Sequence, residues 1–199
     1  MVVGEVKPEG SSLKSNYQKS YSGVLQVIET REHISNFKDR VNSDTTRLIS
    51  RIINCEKFKI LRKNLEIKCA KPLDATYLFE DLHCTHTAFE TNKESIASKV
   101  VTAIIAKERI KGVETTEKML LDNSELTCFG RFEKISSSKS WIPGQGSKLQ
   151  YNLVDPKKDY TFIITTLSKQ ALIQRLKSTT KALRISMIIF GTIGIGLGK

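Results

Sequence analysis

The chain has 199 residues, with 32 Lys and Arg against 21 Asp and Glu, a formal net charge of +11. A composition that is 39% hydrophobic and 27% charged with four prolines is that of a globular chain, and excludes a disordered or fibrous one. Four scattered cysteines exclude a small disulfide scaffold, and the length suits one domain, alone or with an appendage.

The first residues, Met1-Val2-Val3-Gly4-Glu5-Val6, lack the basic start and apolar core of a signal peptide, and Glu5 and Glu9 argue against an acid-poor transit peptide. Alternation of Val2 and Val6 with Val3, Glu5 and Lys7 predicts a strand that begins almost at once. Strands are also predicted over Gly23–Thr30 and Arg31–Phe37. Two more follow at Lys57–Arg62 and Asn64–Ala70, where charge alternates with apolar residues and Leu65, Ile67 and Cys69 share a face. Such half-buried strands belong to an antiparallel sheet with one wet face, and their lysines are read as that solvated face. Lys71-Pro72-Leu73-Asp74 breaks the run, and Thr76–Asp81 resumes it.

Between Ser95 and Lys107 the apolar residues Ile96, Val100, Val101, Ile104 and Ile105 fall at helical spacing, although their β-branching is also compatible with a strand. Gly112–Leu120 and Glu125–Ile135 read as a hairpin pair joined by the turn-rich Leu121-Asp122-Asn123-Ser124. Ser136–Ser147, rich in Ser, Gly and Pro, reads as a loop, and Leu149–Val154 with Tyr160–Thr165 as a final pair of strands. Ser168 is the expected N-cap of a helix whose apolar face is Leu172, Ile173, Leu176 and Leu183. That helix carries Lys169, Arg175, Lys177, Lys181 and Arg184 and no acidic residue.

The chain then runs through Ile185–Gly198 without a charge. As a helix this segment would be roughly 21 Å long, short of the ~20 residues that cross a bilayer core. It is nevertheless read as the start of a transmembrane helix. The alternative, a buried core helix, is disfavoured by the four glycines between Gly191 and Gly198. The same glycines do not make a phosphate loop, because Ile193 stands where the first glycine is needed.

No catalytic or metal-binding residue emerges from the pattern. Cys55, Cys69, Cys84 and Cys128 form no closely spaced ligand pair. His83-Cys84-Thr85-His86 is the one cluster of possible ligands, and it reads more simply as a polar strand end. Cys84 with the distant His33 would be a nucleophile and base only in principle. Glu80 and Asp81 are adjacent, so on a strand they would face opposite ways. The charge is also unevenly spread. Residues 1–150 hold 24 basic and 19 acidic residues, a net of +5, and residues 151–199 hold 8 and 2, a net of +6. Nucleic-acid binders concentrate basic and aromatic residues on one stripe, whereas here the excess gathers where the chain approaches its apolar end. Lysines and arginines there suit anionic lipid head groups.

Several stretches, in one order, resemble the membrane-proximal GIDE, or "beside a membrane", domain of the mitochondrial ubiquitin ligase activator of NF-kB family. The most specific is Lys107-Glu108-Arg109-Ile110-Lys111-Gly112-Val113-Glu114-Thr115-Thr116-Glu117-Lys118-Met119-Leu120, followed by Leu126-Thr127-Cys128-Phe129-Gly130. Lys71-Pro72-Leu73-Asp74, Val3-Gly4-Glu5-Val6, Gly23-Val24-Leu25-Gln26 with Glu32-His33, and Leu149-Gln150-Tyr151-Asn152-Leu153 resemble further parts of the same domain. The resemblance implies a RING-type E3 ubiquitin ligase of the mitochondrial outer membrane. The domain would face the intermembrane space, with zinc and the ubiquitin-loaded E2 held by a RING that lies outside this chain. The expected fold is α+β: a β-rich antiparallel GIDE-like domain over residues 1–165, a basic juxtamembrane helix over 166–184, and the start of a transmembrane helix over 185–199. The expected partners are membrane lipid and protein substrates or regulators. No catalytic, cofactor or metal residue is assigned in the chain, and nucleic acid is not an expected partner. The alternative is a non-enzymatic, membrane-tethered binding module that lacks a RING.

Overall fold

A computed structural model describes residues 1–38, 41–91, 108–135, 149–155 and 161–181. The chain forms β1 (Val2–Pro8), β2 (Leu13–Lys14), β3 (Ser22–Lys38), β4 (Val41–Cys55), β5 (Phe58–Arg62), β6 (Leu65–Cys69), β7 (His83–Thr91), β8 (Glu108–Leu121), β9 (Glu125–Phe129), β10 (Arg131–Lys134), β11 (Leu149–Val154) and β12 (Ile163–Thr165). The described residues also include a 3-10 turn at Pro72–Asp74 and a helix, α1, over residues 169–181.

The strands form two sheets. The first runs β10-β11-β6-β5-β1-β9-β12, with β11 and β6 parallel and every other neighbour antiparallel. In the second, β8 lies between β7 and β3, and β3 pairs along its other edge with β2 and then β4. Alternation decides which side chains go inward. Val6, Phe58, Ile60, Ile67, Leu126, Cys128, Leu153 and Ile164 from the first sheet meet Val24, Leu25, Val27 and Leu120 from the second. Ala75, Leu78 and Leu82 of the segment between β6 and β7 close the same core.

Among the described residues the fold is therefore mostly β with one helix, which corrects the expected α+β class. No helix among the described residues is long and apolar enough to cross a membrane, so the expected transmembrane helix finds no support. The apolar run 185–199 lies outside the described residues, as do the ambiguous segment 95–107 and the loop 136–147.

Pairing corrects three further readings. β8 and β9 do not form a hairpin: β8 belongs to the second sheet and β9 to the first. The link between them, with Asn123 at φ 64°, bonds instead to β1, where Val6 donates to Ser124 O at 2.9 Å and Asn123 donates to Val6 O at 3.0 Å. That satisfies the link's backbone while carrying the chain across to the other sheet. β11 and β12 likewise do not pair with each other; β11 lies between β10 and β6, and β12 borders β9. Residues 76–81 are turns rather than a strand, with Tyr77 at φ 69° and one isolated bridge from Thr76 to Ile163. β4, absent from the sequence expectation, is the longest partner of β3 and carries exposed Leu48, Ile49, Ile52 and Ile53. A bulge at Ile49 interrupts its register, since Thr30 faces Ser50 and Arg31 faces Leu48. Bulges of this kind blunt an edge strand against unwanted pairing.

Candidate functional site: the docked basic helix

The basic helix is held to the sheets at its first two turns. Ser168 is its N-cap, as expected, accepting from the amide of Ala171 at 3.3 Å. The approach to it is tied down by Thr127 Oγ1, which donates to Leu167 O at 2.7 Å, and by Leu167 N, which donates to Thr165 Oγ1 at 3.2 Å. Leu172 is buried, whereas Ile173 and Leu176 of the expected apolar face are exposed. Among the described residues the face that docks is therefore narrower than the sequence pattern implied, and Leu183 of that pattern lies outside them.

One turn beyond Leu172, Arg175 forks between two carboxylates. Its Nη2 donates to Glu80 Oε2, and its Nη1 donates to Asp81 Oδ2 at 3.2 Å. The guanidinium also lies over the Tyr77 ring, 4.9 Å from its centroid. Thr165 Oγ1 donates to Asp81 Oδ2 at 3.3 Å, and Thr166 Oγ1 to Asp81 O at 2.8 Å, so the acidic turn is itself braced by β12. The expectation that Glu80 and Asp81 face opposite ways fails because these residues are in a turn, where the strand's alternation does not apply. Arg175, counted in the sequence with the lipid-facing basic residues, is spent on the domain. Lys169, Lys177 and Lys181 are exposed.

A second polar cluster is buried under the segment that joins β2 to β3. The Glu117 side chain on β8 is fully inaccessible. Its Oε1 accepts from Asn16 N at 2.9 Å and from Gln26 Nε2 at 2.7 Å. Its Oε2 accepts from Thr85 Oγ1 at 2.6 Å and from Ser15 Oγ. Burial pushes the carboxyl pKa up, but the hydrogen bonds from Ser15, Thr85, Asn16 and Gln26 outweigh it and hold the group below its ordinary value. Asn54 Nδ2 on β4 donates to Gln26 Oε1 at 2.8 Å, so the network runs across four strands, β7, β8, β3 and β4. The sequence placed Glu117 in the strand expected over Gly112–Leu120 and in the run that resembles the GIDE domain, without marking it as buried. The signal lay only in the polar run Ser15-Asn16 and in Gln26 within the apolar stretch Val24-Leu25-Gln26-Val27-Ile28.

The His83-Cys84-Thr85-His86 cluster opens β7, in keeping with a strand end. Its two imidazoles pack against aromatic rings of that same joining segment. His86 lies parallel to Tyr17 with centroids 4.0 Å apart, and His83 is tilted against Tyr21 at 5.3 Å. His33 sits elsewhere, on the β3 face, 2.7 Å from Glu114 Oε2 and edge-on to Phe89. The structure therefore does not bring Cys84 to His33. Among the other thiols, burial first and the nearby Glu56 charge second raise the Cys55 pKa. Burial pushes Cys69 up to about 12 and holds Cys128 well above its usual value. These thiols are suited to packing rather than to reaction.

Residues 68–198 match the family model for GIDE, an E3 ubiquitin ligase. The chain is 24% identical over 194 residues to mitochondrial E3 ubiquitin protein ligase 1 of Drosophila melanogaster, covering 97% of this chain and 53% of that protein. It is 23% identical over 197 residues to the human mitochondrial ubiquitin ligase activator of NFKB 1, covering 96% and 52%. A Danio rerio relative, mitochondrial ubiquitin ligase activator of nfkb 1-A, is 29% identical over 133 residues, which are 65% of this chain and 38% of the relative. No solved structure matches the chain. The chain thus spans about half the length of the first two of these relatives.

Proposed function

The chain belongs to the GIDE family of E3 ubiquitin ligases, and from that premise we propose that it is the membrane-proximal, partner-recognising part of a mitochondrial ubiquitin ligase. The observation that carries this reading is the family match over residues 68–198, which takes in β7 through β12 and α1. The relatives' names support a mitochondrial setting, and the outer membrane with the domain in the intermembrane space is the arrangement proposed here. The two sheets supply the platform on which α1 docks. Exposed Lys169, Lys177 and Lys181 face outward from α1, and each would gain roughly 1 kcal/mol near an anionic bilayer surface. Protein substrates or regulators are the proposed partners of the sheets. The ubiquitin-loaded E2 and the zinc of a RING are assigned to a part of the ligase outside this chain.

Ubiquitin transfer reconstituted with E1, an E2 and the complete gene product tests the reading. Transfer by the complete product supports it. Absence of E2-dependent transfer replaces it with the non-enzymatic binding module.

A further inference from the structure

We propose that Arg175 is a positioning residue that clamps α1 to the sheets, so that helix and domain move as one body and the direction in which the chain leaves the domain is fixed. Of the described helix, only Ala171, Leu172 and Arg175 are shielded from solvent; residues 169–170, 173–174 and 176–181 are exposed. The attachment is therefore confined to one small contact. Leu172 gives it burial but little direction, because apolar contact is not directional. Arg175 gives it direction, since a planar guanidinium that meets two carboxylates and a ring at once fixes its own orientation.

The receiving side is built to match. Tyr77 is held at φ 69°, a left-handed conformation uncommon for a residue other than glycine, and the turn that follows presents Glu80 and Asp81 together. Asp81 is fixed in turn by the hydroxyls of Thr165 and Thr166. At the helical repeat, Lys177 lies roughly 160° around the axis from Arg175 and Lys181 roughly 180° from Leu172. The clamp thus sets the lysine face on the side of α1 away from the sheets. It is independent of ubiquitin chemistry and stands or falls separately from the ligase reading.

Distance measurement between two nitroxide labels on the full chain in mild detergent tests the clamp. The labels are carried by ketone-bearing residues at exposed Gln174 and Lys57, which spares the native thiols. The wild-type chain is expected to give one narrow distance. Arg175→Gln, and separately the pair Glu80→Gln with Asp81→Asn, should lose that narrow peak while the sheets melt at the wild-type temperature. The two variants reach the same contact from opposite sides, so either one decides the matter if the other fails to fold. A broad wild-type distribution, or a narrow peak retained without the contact, overturns the proposal. So does a drop in the melting temperature of the sheets, which would make Arg175 part of the fold rather than a positioning residue.

Discussion

Replacing Glu117 by Gln tests how the second sheet is held under the β2–β3 segment. The native carboxylate is fully buried and accepts four hydrogen bonds, two on each oxygen. Glutamine keeps one acceptor, which can serve Asn16 N and Gln26 Nε2. Its NH2 then meets Ser15 and Thr85. Thr85 Oγ1 has an alternative acceptor in Glu117 O, at 3.3 Å, so its hydroxyl can turn and accept. Ser15 Oγ already accepts from the amides of Gln18 at 2.9 Å and Tyr17 at 3.3 Å, and has little left to offer. The net change is the loss of charge assistance on two or three bonds and one poorly matched pair. At about 1.5–3 kcal/mol for a bond to a charged group, against several kcal/mol regained by not burying an ion, the variant should be about 2 kcal/mol less stable at pH 7. For a chain of this length that is roughly 4–8 °C in Tm.

The pH dependence separates the charge from the shape. The Glu117 pKa is lower in the folded chain than in the unfolded one. Its ionisation therefore stabilises the fold above the unfolded value of about 4.3, and that contribution is lost as pH falls through the folded pKa. Urea titrations followed by backbone circular dichroism should show a gap between wild type and Glu117→Gln that is full at pH 7 and shrinks below about pH 4. A variant as stable as wild type at pH 7, or a gap that persists unchanged in acid, would refute the account of this cluster.

Three other outcomes follow from the same packing. A Cβ at Gly23 would lie 2.1 Å from Leu120 O, so Gly23→Ala must part β3 from β8 and should cost about 1–3 kcal/mol in a denaturant titration. Leu172→Ala should weaken helix docking by about 2–4 kcal/mol, seen as faster amide exchange over residues 169–181 with slow exchange retained in β1, β5 and β6. Under native conditions iodoacetamide should modify exposed Cys84 first, and Cys69 and Cys128 only after denaturant is added, as read by peptide mass spectrometry.

The local structure was legible where a segment's own pattern decides it. Alternation at Lys57–Arg62 and Asn64–Ala70 gave β5 and β6, Pro72 gave the break, and Ser168 gave the start of α1. Long-range pairing was not legible, because a strand's alternation says which face is buried and not which neighbour it meets. Hence β8 and β9 looked like a hairpin while belonging to different sheets. β4 escaped notice because Leu48, Ile49, Ile52 and Ile53 come in adjacent pairs rather than alternating, and the bulge at Ile49 is part of the reason. The site was half legible. The basic helix stood out by its charge, but Arg175 could be separated from Lys177 and Lys181 only once the acidic turn at Glu80 and Asp81 was seen beside it.

The proposed role meets its most direct test in the complete gene product with residues 2–165 deleted, assayed with E1 and E2. Under the reading developed here the deletion keeps the discharge of ubiquitin from E2 and abolishes transfer to protein substrates, scored as ubiquitin-remnant peptides by mass spectrometry. Substrate transfer that survives the deletion unchanged would contradict a recognition role for this domain.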